Sequence, residues 1–205
     1  EMFELSRAPL IASHSSARAM NDVSRNLDDE QLLALKENGG VVQTVAFASY
    51  VDSEKNAANR EALDALNATI AEEMGFELLG RGEVRGLGPE ARAEYEEHMS
   101  MVRERAQPKM EELNAVAPAV NVSDFADHID YMVNLIGIDH VGISSDFDGG
   151  GGVEGWNDTS ETFNVTLELV RRGYTEEEVG KLWSGNLLRV LDDVQRVARE
   201  IQSEE

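Results

Sequence analysis

Among the 205 residues there is no cysteine. That absence removes disulfides, zinc fingers, iron–sulfur clusters and thiol catalysis together. Cations are scarce too: 18 Lys and Arg stand against 40 Asp and Glu, a formal net charge of −22 at pH 7. Such a chain repels a phosphate backbone and has no clustered basic stripe, which argues against a nucleic-acid partner. Docking on an anionic membrane is disfavoured for the same reason. No apolar run is long enough to span a bilayer, so no membrane segment is expected in this chain. The opening residues Glu1-Met2-Phe3-Glu4 hold neither a basic segment nor an apolar h-region, so no signal peptide is in view and the location is open. The chain starts without Met, as if entered in mid-element.

What is present is enough for a core, since 41% of the residues are hydrophobic. The apolar run Leu10-Ile11-Ala12-Ser13-His14 reads as a buried strand delivering His14 at its C-terminal tip. A helix is expected over Asp28 to Asn38, with acids in its first turn, Lys36 in its last and Gly39-Gly40 as a stop. The β-branched run Val41 to Phe47 follows as a second strand. Ser123, read as an N-cap, opens a helix whose Phe125, Ile129, Met132, Val133 and Ile136 share a face, and Gly137 ends it. His140 to Asp146 reads as a third strand, tipped by Asp146-Phe147-Asp148 and the run Gly149 to Gly152. A helix is expected around Ser160 to Arg172. Another starts at Thr175 with a Thr175/Glu178 capping box and continues toward Ile201.

Between about 53 and 112 the texture changes to Ala, Glu, Arg and Met, broken by glycines and a proline from Gly80 to Pro89. Two charged helices joined by a turn are expected there, a solvated insertion or else a partner-binding arm. The order strand, helix, strand, insertion, helix, strand, helix, helix predicts an α/β protein with a parallel sheet. Three strands cannot close a barrel, so the pattern looks like part of something larger.

The C-terminal ends of parallel strands are where such folds assemble their sites, and both His14 and Asp146 fall on that edge. Each also has a plain reading: His14 as a polar residue closing a strand, Asp146 as a turn residue before glycine. Arg25 lies on the loop after His14, where a guanidinium would grip a carboxylate, or would simply be a surface cation. The glycine run lacks the spacing of a phosphate loop. His140 opens its strand at the far edge and reads as structural. His128 and His98 read as non-catalytic, and Trp156 and Trp183 as packing residues.

Three ordered stretches carry a resemblance. They are Ser13-His14-Ser15-Ser16-Ala17 with Ser24-Arg25-Asn26-Leu27, then Gly137 to Gly149, then Gly185-Asn186-Leu187-Leu188-Arg189-Val190. Together they resemble the renal (membrane) dipeptidase family of zinc metallopeptidases, amidohydrolase-like TIM barrels. The resemblance implies the C-terminal portion of a (β/α)8 barrel with a helical insertion, and a two-Zn²⁺ centre that hydrolyses dipeptides, some with a C-terminal D-residue. It implies that His14 is a metal ligand, that Arg25 holds the substrate carboxylate, and that Asp146 touches substrate and shuttles the proton.

The first-strand His-x-Asp, the bridging Glu and the earlier His of that family have no counterpart here. The missing N-terminal half of the barrel is therefore an expected partner, as a longer chain or a separate polypeptide, and residues 1–7 read as the end of the preceding helix. The chain alone is expected to bind zinc weakly and to be inactive, and a homodimer is compatible with the reading. Two other readings stay open: a metal-dependent hydrolase of another amide or an ester, and a non-catalytic half-barrel with an exposed apolar edge near Leu10 and Ile11.

Overall fold

The computed structural model describes residues 5–204, so the helix end expected over 1–7 falls mostly outside the described residues. In chain order the elements are β1 (Ile11–Ala12), α1 (Asp29–Glu37), β2 (Val41–Val45), α2 (Ala48–Val51), α3 (Ser53–Glu73), α4 (Arg81–Gly86), α5 (Pro89–Ala106), α6 (Met110–Val116), α7 (Val122–Ile136), β3 (Val141–Ser144), α8 (Thr162–Arg171), α9 (Glu176–Gly180) and α10 (Asn186–Glu204). They form two compact units, one of Glu54–Ala119 and one of the chain on either side of it.

The larger unit is built on a parallel sheet in the order β1-β2-β3. Ile11 pairs with Val41, Val42 with Val141 and Val45 with Ser144. Every residue of β2 is buried, as a central strand covered on both faces requires. Val42 and Ala46 share a core with Val141 and Ile143, with Leu32 and Leu35 of α1, and with Phe125, Ile129, Met132 and Ile136 of α7. Each such side chain contributes about 1.5–3 kcal/mol on burial. α1 begins at a reciprocal capping box: Gln31 N–H donates to Asp28 at 2.9 Å and Asp28 N–H to the Gln31 side chain at 3.0 Å.

Several local expectations are corrected. β1 is two residues long rather than five: its regular pairing with β2 stops at Ala12–Val42, Ser15 N–H still reaches Gln43 O, and residues 16–18 pair with Leu27. Leu27 N–H donates to Ser16 O at 2.9 Å and Arg18 N–H to Leu27 O at 2.8 Å. The N-cap of α7 is Asn121, not Ser123: its side chain accepts from the N–H groups of Ser123 and Asp124, and Asp124 accepts from Asn121 N–H in return. The final helix is not continuous. Its Thr175/Glu178 capping box is present, but Lys181–Gly185 forms one π-turn between α9 and α10. After that wider turn Asn186 is buried and donates to Ile138 O and Val141 O, both at 2.7 Å.

α8 is tied to α7 by charge. The Arg172 guanidinium meets Asp127 at 2.7 Å, Asp130 at 2.6 Å and Glu168 at 2.9 Å. Burial works against its charge, but the hydrogen bonds it donates to the three carboxylates outweigh that and raise its pKa. The Tyr174 hydroxyl donates to Asp130, and burial with that bond pushes its pKa up.

The smaller unit holds α4, α5, α6 and nearly all of α3, so the glycine-broken stretch expected as a turn contains a short helix of its own. Its core is small: Ile70, Ala71, Val102 and Ala106, with Leu66, Met74 and Phe76 against them. The His98 ring packs on Phe76 at 4.8 Å. No helix among the described residues is long and apolar enough to cross a membrane.

Candidate active site

The C-terminal ends of the three strands gather the polar residues. His14 follows β1 by two residues, half-buried, with its Nδ1 2.9 Å from Ser13 Oγ. Asp146 follows β3 by two residues. The two therefore flank the end of β2, on strands about 10 Å apart by ordinary sheet spacing.

Asp146 sits at φ 56°, ψ 36°, alone in positive φ among the described non-glycine residues. Asp tolerates this left-handed region better than most residues, though at a cost on the order of 1 kcal/mol. The glycine run after it supports the turn. Gly149 N–H and Gly151 N–H both donate to Asp146 O, at 3.0 and 2.8 Å, and Gly152 N–H donates to Ala46 O at the end of β2. The carboxylate lies over Gly149, where a Cβ would stand 2.2 Å from its Oδ1. Any side chain at this position would have to displace the Asp146 carboxylate.

Arg25 is exposed on the β1–α1 loop, its guanidinium 5.8 Å from the Tyr50 ring centroid. Tyr50 in turn stacks on Phe47, which follows β2, with ring centroids 4.5 Å apart. Phe47 is bridged to Gly152 and lies close to Gly150. His14 and Arg25 thus come from the β1–α1 connection, and Asp146 from the exit of β3, to one edge of the sheet. Among the described residues no three His, Asp or Glu side chains converge to hold a metal ion. These residues do not by themselves fit a metal centre.

Two buried polar side chains hold this edge: His128, read from the sequence as non-catalytic, and Asn26, which the sequence offered only as part of a motif. Asn26 is 1% exposed and His128 is 2% exposed. His128 Nδ1 accepts from Ala17 N–H at 3.1 Å, so Nε2 carries the proton donated to Val51 O at 2.8 Å. One signal was legible: position 128 follows Phe125 by three and precedes Met132 by four, which puts it on the core face of α7. His140 binds Gly40 O through Nδ1 at 2.8 Å, by the opposite end of the sheet. Trp156 and Trp183 pack against each other, each donating its indole N–H to a threonine of α8.

Burial lowers the pKa of His128, outweighing the opposing Val51 bond and the nearby Asp127, Asp52 and Asp124. The folded protein therefore keeps this ring neutral while the unfolded chain takes up a proton below about pH 6.5. Stability is expected to be level in this respect above that pH. Below it, stability falls by up to about 1.4 kcal/mol per pH unit until the folded pKa is reached. The carboxyl groups with lowered pKa, Asp158 bonded to Ser160, Glu178 bonded to Thr175 and Glu204 bonded to Arg7, begin to lose their contribution only as the pH falls below the ordinary carboxylate value of about 4. Urea midpoints across the window check this, and a midpoint that does not fall would show that His128 is protonated without cost.

Parallel strands joined through helices, with polar residues at the C-terminal strand ends, are the architecture of a section of a (β/α)8 barrel. The chain belongs to the membrane dipeptidase family, peptidase family M19, which matches residues 1–205. It is 30% identical over 201 residues to Dipeptidase aclJ of Aspergillus oryzae, covering 98% of this chain and 33% of that protein. Among solved structures it is similar to the probable dipeptidase PvdM from Pseudomonas aeruginosa, with TM-score 0.64 and 39% identity, over 95% of this chain and 47% of that one. A metallopeptidase from Rhodobacter sphaeroides, solved with a phosphinate mimic of the dipeptide L-Ala-D-Ala, shares the fold at TM-score 0.59 and 22% identity, over 93% of this chain and 38% of that one. The chain spans about a third of the length of the curated relatives it matches. The family is one of metallopeptidases, so a metal cofactor goes with membership.

Proposed function

We infer that the full-length protein is a zinc-dependent dipeptidase and that this chain supplies its proton shuttle, its carboxylate clamp and one metal ligand. The observation that carries the reading is the grouping of His14, Asp146 and the Arg25 loop around the end of β2. With Nδ1 engaged by Ser13, Nε2 is the nitrogen by which His14 would ligate. The other ligands of a two-zinc centre would come from the N-terminal half of the barrel, which would pair along the β1 edge, where Ile11 is 45% exposed.

In this scheme Arg25 binds the free C-terminal carboxylate through its planar fork and sets the substrate length at two residues. Asp146 takes a proton from the attacking water and returns it to the leaving amine. The test compares a dipeptide with its C-terminal amide on the full-length protein. Loss of a charge-assisted hydrogen bond removes about 1.5–3 kcal/mol, so the amide should be a poorer substrate by roughly 10- to 100-fold in kcat/KM. Arg25→Met should abolish that preference. Equal rates on the two compounds, or turnover of a lactone in place of the dipeptide, would sink the reading.

A further inference from the structure

We propose that Asn26 and His128 are positioning residues, a paired clamp that fixes the loop carrying His14 and Arg25 and so sets the arginine for the substrate carboxylate. The substrate part of this rests on the dipeptidase reading above.

The geometry is a double staple. Two adjacent peptide N–H groups after β1, those of Ser16 and Ala17, donate to Asn26 Oδ1 and His128 Nδ1, each at 3.1 Å. Two adjacent carbonyls at the end of α2, those of Tyr50 and Val51, accept from Asn26 Nδ2 and His128 Nε2, each at 2.8 Å. Each side chain thus offers one acceptor to the first strand's exit and one donor to the second's. A buried peptide group left unpaired is costly, so removing either side chain loosens the tie between the two exits. Asn21 extends the same capping, donating to Ser49 O and Tyr50 O at 3.0 Å.

The clamp reaches the functional residues through the backbone. Ala17 is three residues from His14 and pairs with Leu27, and Asn26 directly follows Arg25. The carbonyl that Asn26 holds belongs to Tyr50, the residue whose ring lies under the Arg25 guanidinium. Arg25 and its aromatic support are therefore referenced to the same staple. His128 enters it from α7, more than a hundred residues along the chain from Ala17.

The test uses the full-length protein with three variants. His128→Asn keeps an acceptor near the Nδ1 position, His128→Gln keeps a donor near the Nε2 position, and His128→Phe keeps ring volume with neither. Amide exchange at Ala17 is measured beside KM and kcat for a dipeptide. In the Phe and Gln variants the Ala17 amide should exchange at least about tenfold faster, while β2 amides stay protected. KM should rise by about tenfold with kcat within about threefold, and the Asn variant should recover both the protection and the KM. Should His128→Phe fail to fold, the contrast of Asn with Gln decides: equal KM values overturn the positioning role. Unchanged Ala17 exchange overturns the clamp itself. If the wild-type protein turns over no dipeptide, the functional reading fails, and the exchange measurement still decides whether the clamp exists.

Discussion

An Asp146→Asn variant of the full-length protein is expected to lose about three orders of magnitude in kcat for a dipeptide, within the usual 10²- to 10⁴-fold worth of a general acid–base group. The substitution removes the proton-accepting oxygen and little else. Asn tolerates the left-handed backbone of this position as readily as Asp does, and the Asp146 carbonyl that receives Gly149 and Gly151 is untouched. Stability should therefore stay within about 0.5 kcal/mol of the wild type, as for substitutions that disturb no packing. Kinetics and a denaturation curve on the same preparation check both halves. A variant that keeps more than about a tenth of wild-type kcat would remove Asp146 from proton transfer.

Gly149→Ala is expected to cost about a hundredfold in kcat/KM, the scale of a misplacement near 1 Å. The new Cβ would stand 2.2 Å from Asp146 Oδ1, 2.7 Å from Cγ and 2.8 Å from Oδ2. All three atoms belong to a rotatable side chain, so the conflict is relieved by turning the carboxylate away rather than by unfolding. Activity should fall while the melting temperature barely moves. The neighbouring Gly151 gives the contrast, because a Cβ there meets the backbone carbonyl of Ser145 at 2.0 Å. Alanine at Gly151 should lower stability first and activity with it. If Gly149→Ala left kcat/KM within threefold of wild type, the orientation of Asp146 over that glycine would be irrelevant to turnover.

How far the sequence could be read is seen at particular residues. The order of strands and helices followed from periodicity and from Gly39-Gly40 and Gly137 as stops, because these are local signals. The run Asp146-Phe147-Asp148 before four glycines marked the end of the third strand. The length of β1 was not legible, since the residues after Ala12 divide their hydrogen bonds between β2 and Leu27, a partner the local pattern does not announce. The cap of α7 was misplaced by two residues because Asn121 and Ser123 are both good caps. The choice falls to Asn121, whose chain is paired with Glu154 from a distant loop. The π-turn at Lys181 also escaped, as it answers to the carbonyls of Ile138 and Val141 that Asn186 must reach.

The sequence by itself determined that this is a cysteine-free, acidic α/β chain of the membrane dipeptidase family, and it singled out His14, Arg25 and Asp146 as the candidates for its chemistry. Composition and short motifs carry that information without reference to any contact. Only the tertiary structure decided that Asn26 and His128 staple two strand exits together, and that Gly149 is the surface on which the Asp146 carboxylate rests. A buried polar group is defined by the partners that satisfy it. Those partners lie up to 111 residues away along the chain and meet only when the sheet has formed.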